Sequence, residues 1–252
     1  MKMNLVHMIF DRESKHLDSK EEHHYEKIDC SDIIGINGYC DDQAIKIIRS
    51  RIAGFPLNAI HFIGSNNYHY ISKLWIDRIK RPFSLVLFDY HSDMQPGMIE
   101  GLLSCGNWVK SLLDENNYLQ KVFLIGTSYN SMSQIEKKYN KRCYCFPENQ
   151  IGDDKKWKLF VNGNIKGSLY ISIDKDVLSS DYALTGWHHG KMNLDEIKAY
   201  LTDVYSNGNI LGADICGDVM KNENVSELMR VQKLDQRTNM FFIKTISEIS
   251  SK

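Results

Sequence analysis

Short, continuous apolar runs recur along this chain, each followed by a stretch with helical spacing, and this alternation is what most limits its fold. The runs lie at residues 5–10, 60–63, 84–88, 122–125, 142–146, 169–173 and 210–213. Most are apolar at consecutive rather than alternate positions, the pattern of strands covered on both faces. Between them, residues 42–52, 69–79, 102–114, 131–139 and 194–205 place apolar side chains at helical spacing, and most of 226–249 does the same. Asn193, with Glu196 three residues on, reads as the cap of the helix that begins at 194. Strand and helix in alternation predict an α/β fold, a three-layer α/β/α domain with a mainly parallel sheet. The 252-residue length suits a single domain, 1–252, and no repeat, low-complexity tract or proline-rich linker divides it.

Composition narrows the partners. Lysine plus arginine number 31 against 32 acidic residues, a net charge of −1, so the basic excess of a nucleic-acid or anionic-membrane binder is missing. No apolar stretch approaches the roughly 20 residues needed to span a bilayer. The apolar start gives way at once to Asp11, Arg12 and Glu13, too soon for a signal peptide, so a cytoplasmic location is expected. The polar segment 11–27, with His23 and His24, reads as a surface loop or helix. Six cysteines (30, 40, 105, 143, 145 and 216) are too few for a disulfide scaffold at this length and read as reduced, mostly buried thiols. Cys143-Tyr-Cys145 has the wrong gap for a zinc knuckle.

Ligands of open parallel sheets bind outside the carboxyl ends of the strands. The run 84–88 ends in Asp89-Tyr-His91-Ser-Asp93, and the run 169–173 ends in Asp174-Lys-Asp176. Residues two apart on an extended segment face the same way, so Asp89 can converge with His91, and Asp174 with Asp176. Carboxylates gathered at one sheet edge repel and are costly to desolvate unless cations lie among them. Mixed carboxylate and imidazole ligation suits manganese or a related first-row ion, and zinc stays open. A lone aspartate after a strand is ordinarily a cap or turn residue, which would account for Asp214 after 210–213.

These motifs resemble those of the arginase/agmatinase/formiminoglutamase family, the ureohydrolases, over about residues 60–218. Asp89-Tyr-His91-Ser-Asp93 is similar to the family's Asp-Ala-His-x-Asp, and Ser172-Ile-Asp174-Lys-Asp176 to its Ser-x-Asp-x-Asp. Asn66-Asn-Tyr-His69-Tyr stands where the family has Gly-Gly-Asp-His-Ser. The resemblance implies a mainly parallel sheet of roughly eight strands and two divalent ions, most often Mn2+. His69, Asp89, Asp93 and Asp174 would hold one ion, and His91, Asp89, Asp174 and Asp176 the other. It further implies a small-molecule substrate whose C–N bond is attacked by a metal-activated hydroxide, with Asp93 accepting a proton. A homo-oligomer is left open.

Three departures from the family bear on substrate. Ser104-Cys105-Gly106 replaces a histidine proposed as proton shuttle, leaving Cys105 as a rim thiol, a nucleophile or a packed small residue. Gly217 occupies the place of the glutamate that grips a guanidinium, and Asp218 follows one residue later. Thr185-Gly-Trp187 keeps part of a family motif and leads into His188-His189, which read either as acid/base or substrate contacts or as exposed loop histidines. Trp187 and Asn107 are further candidates for the substrate. The chain is thus expected to be a hydrolase of a guanidino, formimino or amide C–N bond, with a substrate other than arginine. Amide deacetylation is a related chemistry. The alternatives are a metal-binding, non-catalytic binding or assembly module, or a degenerate site that has lost its metal.

Overall fold

The computed structural model describes residues 4–10, 25–97, 101–219 and 225–251. The strands are β1 (Asn4–Ile9), β2 (Glu26–Asp29), β3 (Tyr39–Cys40), β4 (Ala59–Phe62), β5 (Phe83–Phe88), β6 (Leu103–Ser104), β7 (Leu119–Ile125), β8 (Cys143–Phe146), β9 (Gly167–Asp174) and β10 (Gly208–Cys216). Between and after them come α1 (Asp42–Ile52), α2 (Ile71–Ile76), α3 (Trp108–Glu115), α4 (Tyr129–Met132), α5 (Asp154–Asn164), α6 (Leu194–Asn207) and α7 (Val225–Ser250). Eight strands form one sheet in the order β2-β1-β4-β10-β9-β5-β7-β8. Every neighbouring pair in it is parallel. The short strands β3 and β6 pair separately and antiparallel.

The continuous apolar runs form this sheet because each strand is packed on both sides. Along β5, Leu85 and Leu87 enter the cluster on one face while Val86 and Phe88 enter the cluster on the other. At roughly 25 cal/mol per Å² of apolar surface removed from water, such doubly covered strands supply most of the drive for the three-layer arrangement. The expected α/β/α architecture is the one observed. No helix among the described residues is long and apolar enough to cross a membrane.

Several local expectations are corrected. Segment 11–27, read as a surface loop or helix, lies outside the described residues up to 24, and its last two residues open the edge strand β2 instead. A polar edge strand gives no apolar run to detect. Helix 69–79 contracts to Ile71–Ile76 because the residues before it form a 3-10 turn over Asn66–Tyr68. Segment 102–114 divides into β6 and α3, and 131–139 into α4 and a 3-10 turn at Lys137–Tyr139. Helix α5 was unanticipated; Asp153 caps it by accepting from Lys156 N at 3.0 Å, and it buries Trp157 and Val161. Asn193 caps α6 with both halves of the capping box present. The six cysteines are free, with Cys30, Cys40 and Cys216 buried.

Candidate metal centre

Four strand ends deliver the side chains of interest. After β4 the chain turns at Gly64, where φ is +74°, a conformation that glycine adopts without a Cβ penalty. Ser65 then caps the 3-10 turn Asn66–Tyr68 and sets His69 at its end. Loop closure beside β10 is tight, because the N–H groups of Gly217 and Asp218 both donate to Gly64 O, at 2.7 and 3.0 Å.

Past β5, the His91 N–H donates to Asp89 Oδ1 at 2.6 Å, folding the loop back on its first carboxylate. Asp93 adopts φ +50°, the sole non-glycine residue at positive φ among those described. Its Oδ2 accepts from Trp108 Nε1 at 2.6 Å and lies 3.0 Å from His69 Nδ1. Past β9 the chain does not stay extended: Lys175–Val177 is a 3-10 turn, so Asp174 and Asp176 meet through a turn rather than through strand alternation. The Asp176 N–H donates to Asp174 Oδ1 at 2.9 Å.

All six predicted ligands, His69, Asp89, His91, Asp93, Asp174 and Asp176, come together. His69 Nδ1 faces Asp89 Oδ2, Asp93 Oδ2 and Asp174 Oδ2 at 3.3, 3.0 and 3.4 Å. His91 Nδ1 lies 2.9 Å from Asp176 Oδ2 and 3.5 Å from Asp89 Oδ1. Asp89 therefore belongs to two clusters of ligand-type atoms, one with His69 and Asp93 and one with His91 and Asp176. Four buried carboxylates face two imidazoles, and Asp89 Oδ2 is buried with no hydrogen-bond donor. This donor set fits a pair of divalent cations: hard oxygens in excess of positive charge, one carboxylate shared, and an orphaned oxygen at the junction.

Electrostatics record the same excess. Burial, then the neighbouring Asp93, raises the Asp89 carboxyl above its usual range, and burial with Asp176 beside it does so for Asp174. Asp176 is pushed up to about 7 by burial and by Asp89. Burial alone would depress His91, but its bonds to Asp176 and Asp89 carry it up to about 12. Protons are held in this cluster because the carboxylates need positive charge.

A layer of polar partners orients these groups, and Asp214, expected as a cap or turn residue, is one of them, buried within β10. His69 Nε2 lies 2.9 Å from Ser172 Oγ, which donates to Asp214 Oδ1 at 2.5 Å. The bond fixes the ring so that Nδ1 faces the carboxylates. Register between β9 and β10 pairs Ser172 with Asp214, so strand pairing could have revealed this relay. Asn66, buried, donates through Nδ2 to Asp174 Oδ1.

The remaining candidates divide. Asp93, Cys105, Asn107 and Trp187 line a cavity of about 660 Å³ that also meets His69, His91, Asp174 and Asp176. Burial pushes the Cys105 thiol up to about 11. Asn107 spends its amide on its own loop, accepting from Ser104 N and donating to Leu102 O, both at 2.8 Å. Trp187 stands half exposed at the rim with its ring 5.8 Å from that of His91. His188 is exposed, and His189 accepts from Thr185 N; neither lines the cavity. Asp218 points elsewhere too, accepting from Lys175 Nζ at 2.5 Å and Asn239 Nδ2 at 3.2 Å. At Gly217, φ is +100° and a Cβ would stand 2.9 Å from Lys175 Cβ, so no longer side chain fits that backbone.

The Arginase family model matches residues 64–217. An uncharacterized protein of Thermotoga maritima is 35% identical over 159 residues, 63% of this chain and 58% of that protein, so the match spans little more than half the relative's length. A variant of Trypanosoma cruzi formiminoglutamase solved with Mn2+ superposes with a TM-score of 0.67 at 11% identity, covering 98% of this chain and 93% of that one. Agmatine ureohydrolase of Thermoplasma volcanium gives 0.65 at 16% identity, over 98% and 90%. Identities this low speak for the fold.

Proposed function

The chain belongs to the arginase family, and from that premise we propose that it is a binuclear-metal hydrolase of a linear, non-peptide C–N bond in a small molecule. The observation that carries this is the convergence of His69, Asp89, His91, Asp93, Asp174 and Asp176, with Asp89 common to both clusters. Two divalent cations, Mn2+ being the family's usual choice, would supply a water activated near neutral pH and positive charge for the developing oxyanion. Asp93 holds a carboxylate at the cavity wall, positioned by Trp108, and serves as proton acceptor. Cys105, a thiol held protonated by burial, is a rim residue rather than a nucleophile.

Substrate preference follows from what the cavity lacks. Position 217 has no carboxylate, and Asp218 is committed to Lys175 and Asn239. A bidentate grip on a guanidinium from this loop is therefore missing. The lining of Tyr39, Gln95, Pro96, Leu102 and Trp187 suits a flatter, less charged group. Formimino and amide compounds are accordingly favoured over arginine or agmatine. The same features favour the second reading, a metal-binding assembly module without turnover.

The deciding experiment is a panel of guanidino, formimino and N-acyl compounds, assayed with the Mn2+-loaded protein and with Asp176→Ala. Turnover by the wild type that Asp176→Ala abolishes supports the hydrolase. Equal inactivity of both across the panel, with metal bound, overturns it in favour of the assembly module.

A further inference from the structure

Cys216 is the last residue of β10 and lies two positions beyond Asp214, so both project toward the same face of the sheet. Its thiol is buried and donates to Asp174 Oδ2 at 3.1 Å. Sγ, a carboxylate oxygen of Asp174 and a ring nitrogen of His69 all lie within 4.8 Å of one another. His69 Nδ1 in turn stands 3.3 Å from Asp89 Oδ2, a buried oxygen that makes no hydrogen bond. Cys216 Sγ therefore joins His69 and Asp174 in one cluster of ligand-type atoms, and His69 joins Asp89 and Asp93 in a second cluster beside it. We propose that Cys216 is a thiolate ligand of the cation held by His69, Asp89, Asp93 and Asp174. The proposal rests on the metal-centre reading above and assigns a chemical character to one of its two positions.

A cysteine used only for packing meets hydrocarbon on its sulfur side. Cys216 does close one edge of an apolar cluster, yet its sulfur is turned to a carboxylate and an imidazole. On ligation the S–H bond breaks, a sulfur–metal bond forms, and the proton passes to solvent. Thiolate is a soft donor, so this position prefers Co2+, Fe2+ or Zn2+ to Mn2+. The cluster of Asp89, His91 and Asp176 contains no sulfur and keeps the harder donors that suit Mn2+. The two positions are thus chemically unequal, and a mixed-metal centre is the expected resting form.

Co2+ titrated into the full-length, chelator-stripped protein tests this by absorbance. The expected result is an intense near-ultraviolet sulfur-to-cobalt charge-transfer band that Cys216→Ser loses and Cys105→Ser retains. Competition should show the preference for Zn2+ over Mn2+ falling about tenfold or more in Cys216→Ser. Co2+ binding without the band, or a band that survives Cys216→Ser, overturns the thiolate while leaving the metal centre standing. Failure of the wild type to bind any divalent ion overturns both. Should serine at this buried position impair folding, Cys216→Ala takes its place, and the wild-type spectrum alone already decides whether sulfur is a donor.

Discussion

Lys175, the residue between Asp174 and Asp176, donates its ammonium to Asp235 of α7 at 2.6 Å, from a position with no solvent exposure. The last helix is thereby fastened to the turn that carries two of the candidate ligands. Asp218 shares the same ammonium, so one cation serves two carboxylates.

Lys175→Met should leave Asp218 and Asp235 without their cation. Breaking a buried ion pair from one side costs about 3–5 kcal/mol, so urea unfolding should show a loss of that order. A change under about 1 kcal/mol would mean that the ammonium behaves as a solvated surface charge.

Ser172→Ala removes the link between His69 and Asp214 and leaves Nδ1 less firmly aimed. Orienting partners of this kind are worth about 10–100-fold in metal affinity. Chelator competition should show a loss in that range for the variant, with far-ultraviolet circular dichroism unchanged. Unaltered affinity would mean that the ring is held by packing alone, Trp108 being 4.9 Å away.

Stability of the metal-free protein should fall as pH rises through about 7. Asp176 is raised to about 7 from 3.8, so between those values the folded state binds more protons than the unfolded chain. His91, raised from 6.5 to about 12, acts in the same direction, its contribution being complete below 6.5 and lost toward 12. Bound divalent cations require the deprotonated carboxylates, so metal affinity should instead rise with pH across this window. Thermal unfolding between mildly acidic and mildly alkaline buffers, with chelator and with metal, should give slopes of opposite sign. Parallel slopes would contradict the charge excess inferred for the cluster.

Gly217→Glu, designed to restore the guanidinium-gripping carboxylate, should fail to create arginine or agmatine hydrolysis. Its Cβ would meet Lys175 Cβ at 2.9 Å and Asp174 Oδ1 at 3.1 Å, on a backbone with φ +100°. Strain at such a conformation is of order 1–3 kcal/mol, so the variant should also unfold earlier in urea. A stable variant with new guanidino activity would show that the loop can rearrange.

Much of this was legible beforehand, and the remainder has physical reasons for being hidden. Doubly buried strands announce themselves as apolar runs, and ligand clusters as carboxylates and histidines at their ends. Edge strand β2 has no such signature, since half its surface is solvated. Asp218 read as a substrate contact because its partners, Lys175 and Asn239, are brought to it only by tertiary packing. A lysine placed between two candidate ligand carboxylates was nonetheless a signal that a buried counter-charge would be required. Cys216 could have been found by counting two residues on from Asp214, as Ser172 could by counting two back from Asp174.

Strand order also carries a message about biosynthesis. Every candidate oxygen and nitrogen ligand has been translated once residue 176 is added, yet β4, which the loop to His69 follows, and β9, which ends in Asp174, are separated in the sheet by β10, which begins at Gly208. In the finished sheet the late strand lies between two early ones, so the spacing of those ends includes β10. A chain halted anywhere in 177–207 would hold the six ligand residues without the strand that lies between β4 and β9, so the finished centre is expected only once β10 has been made.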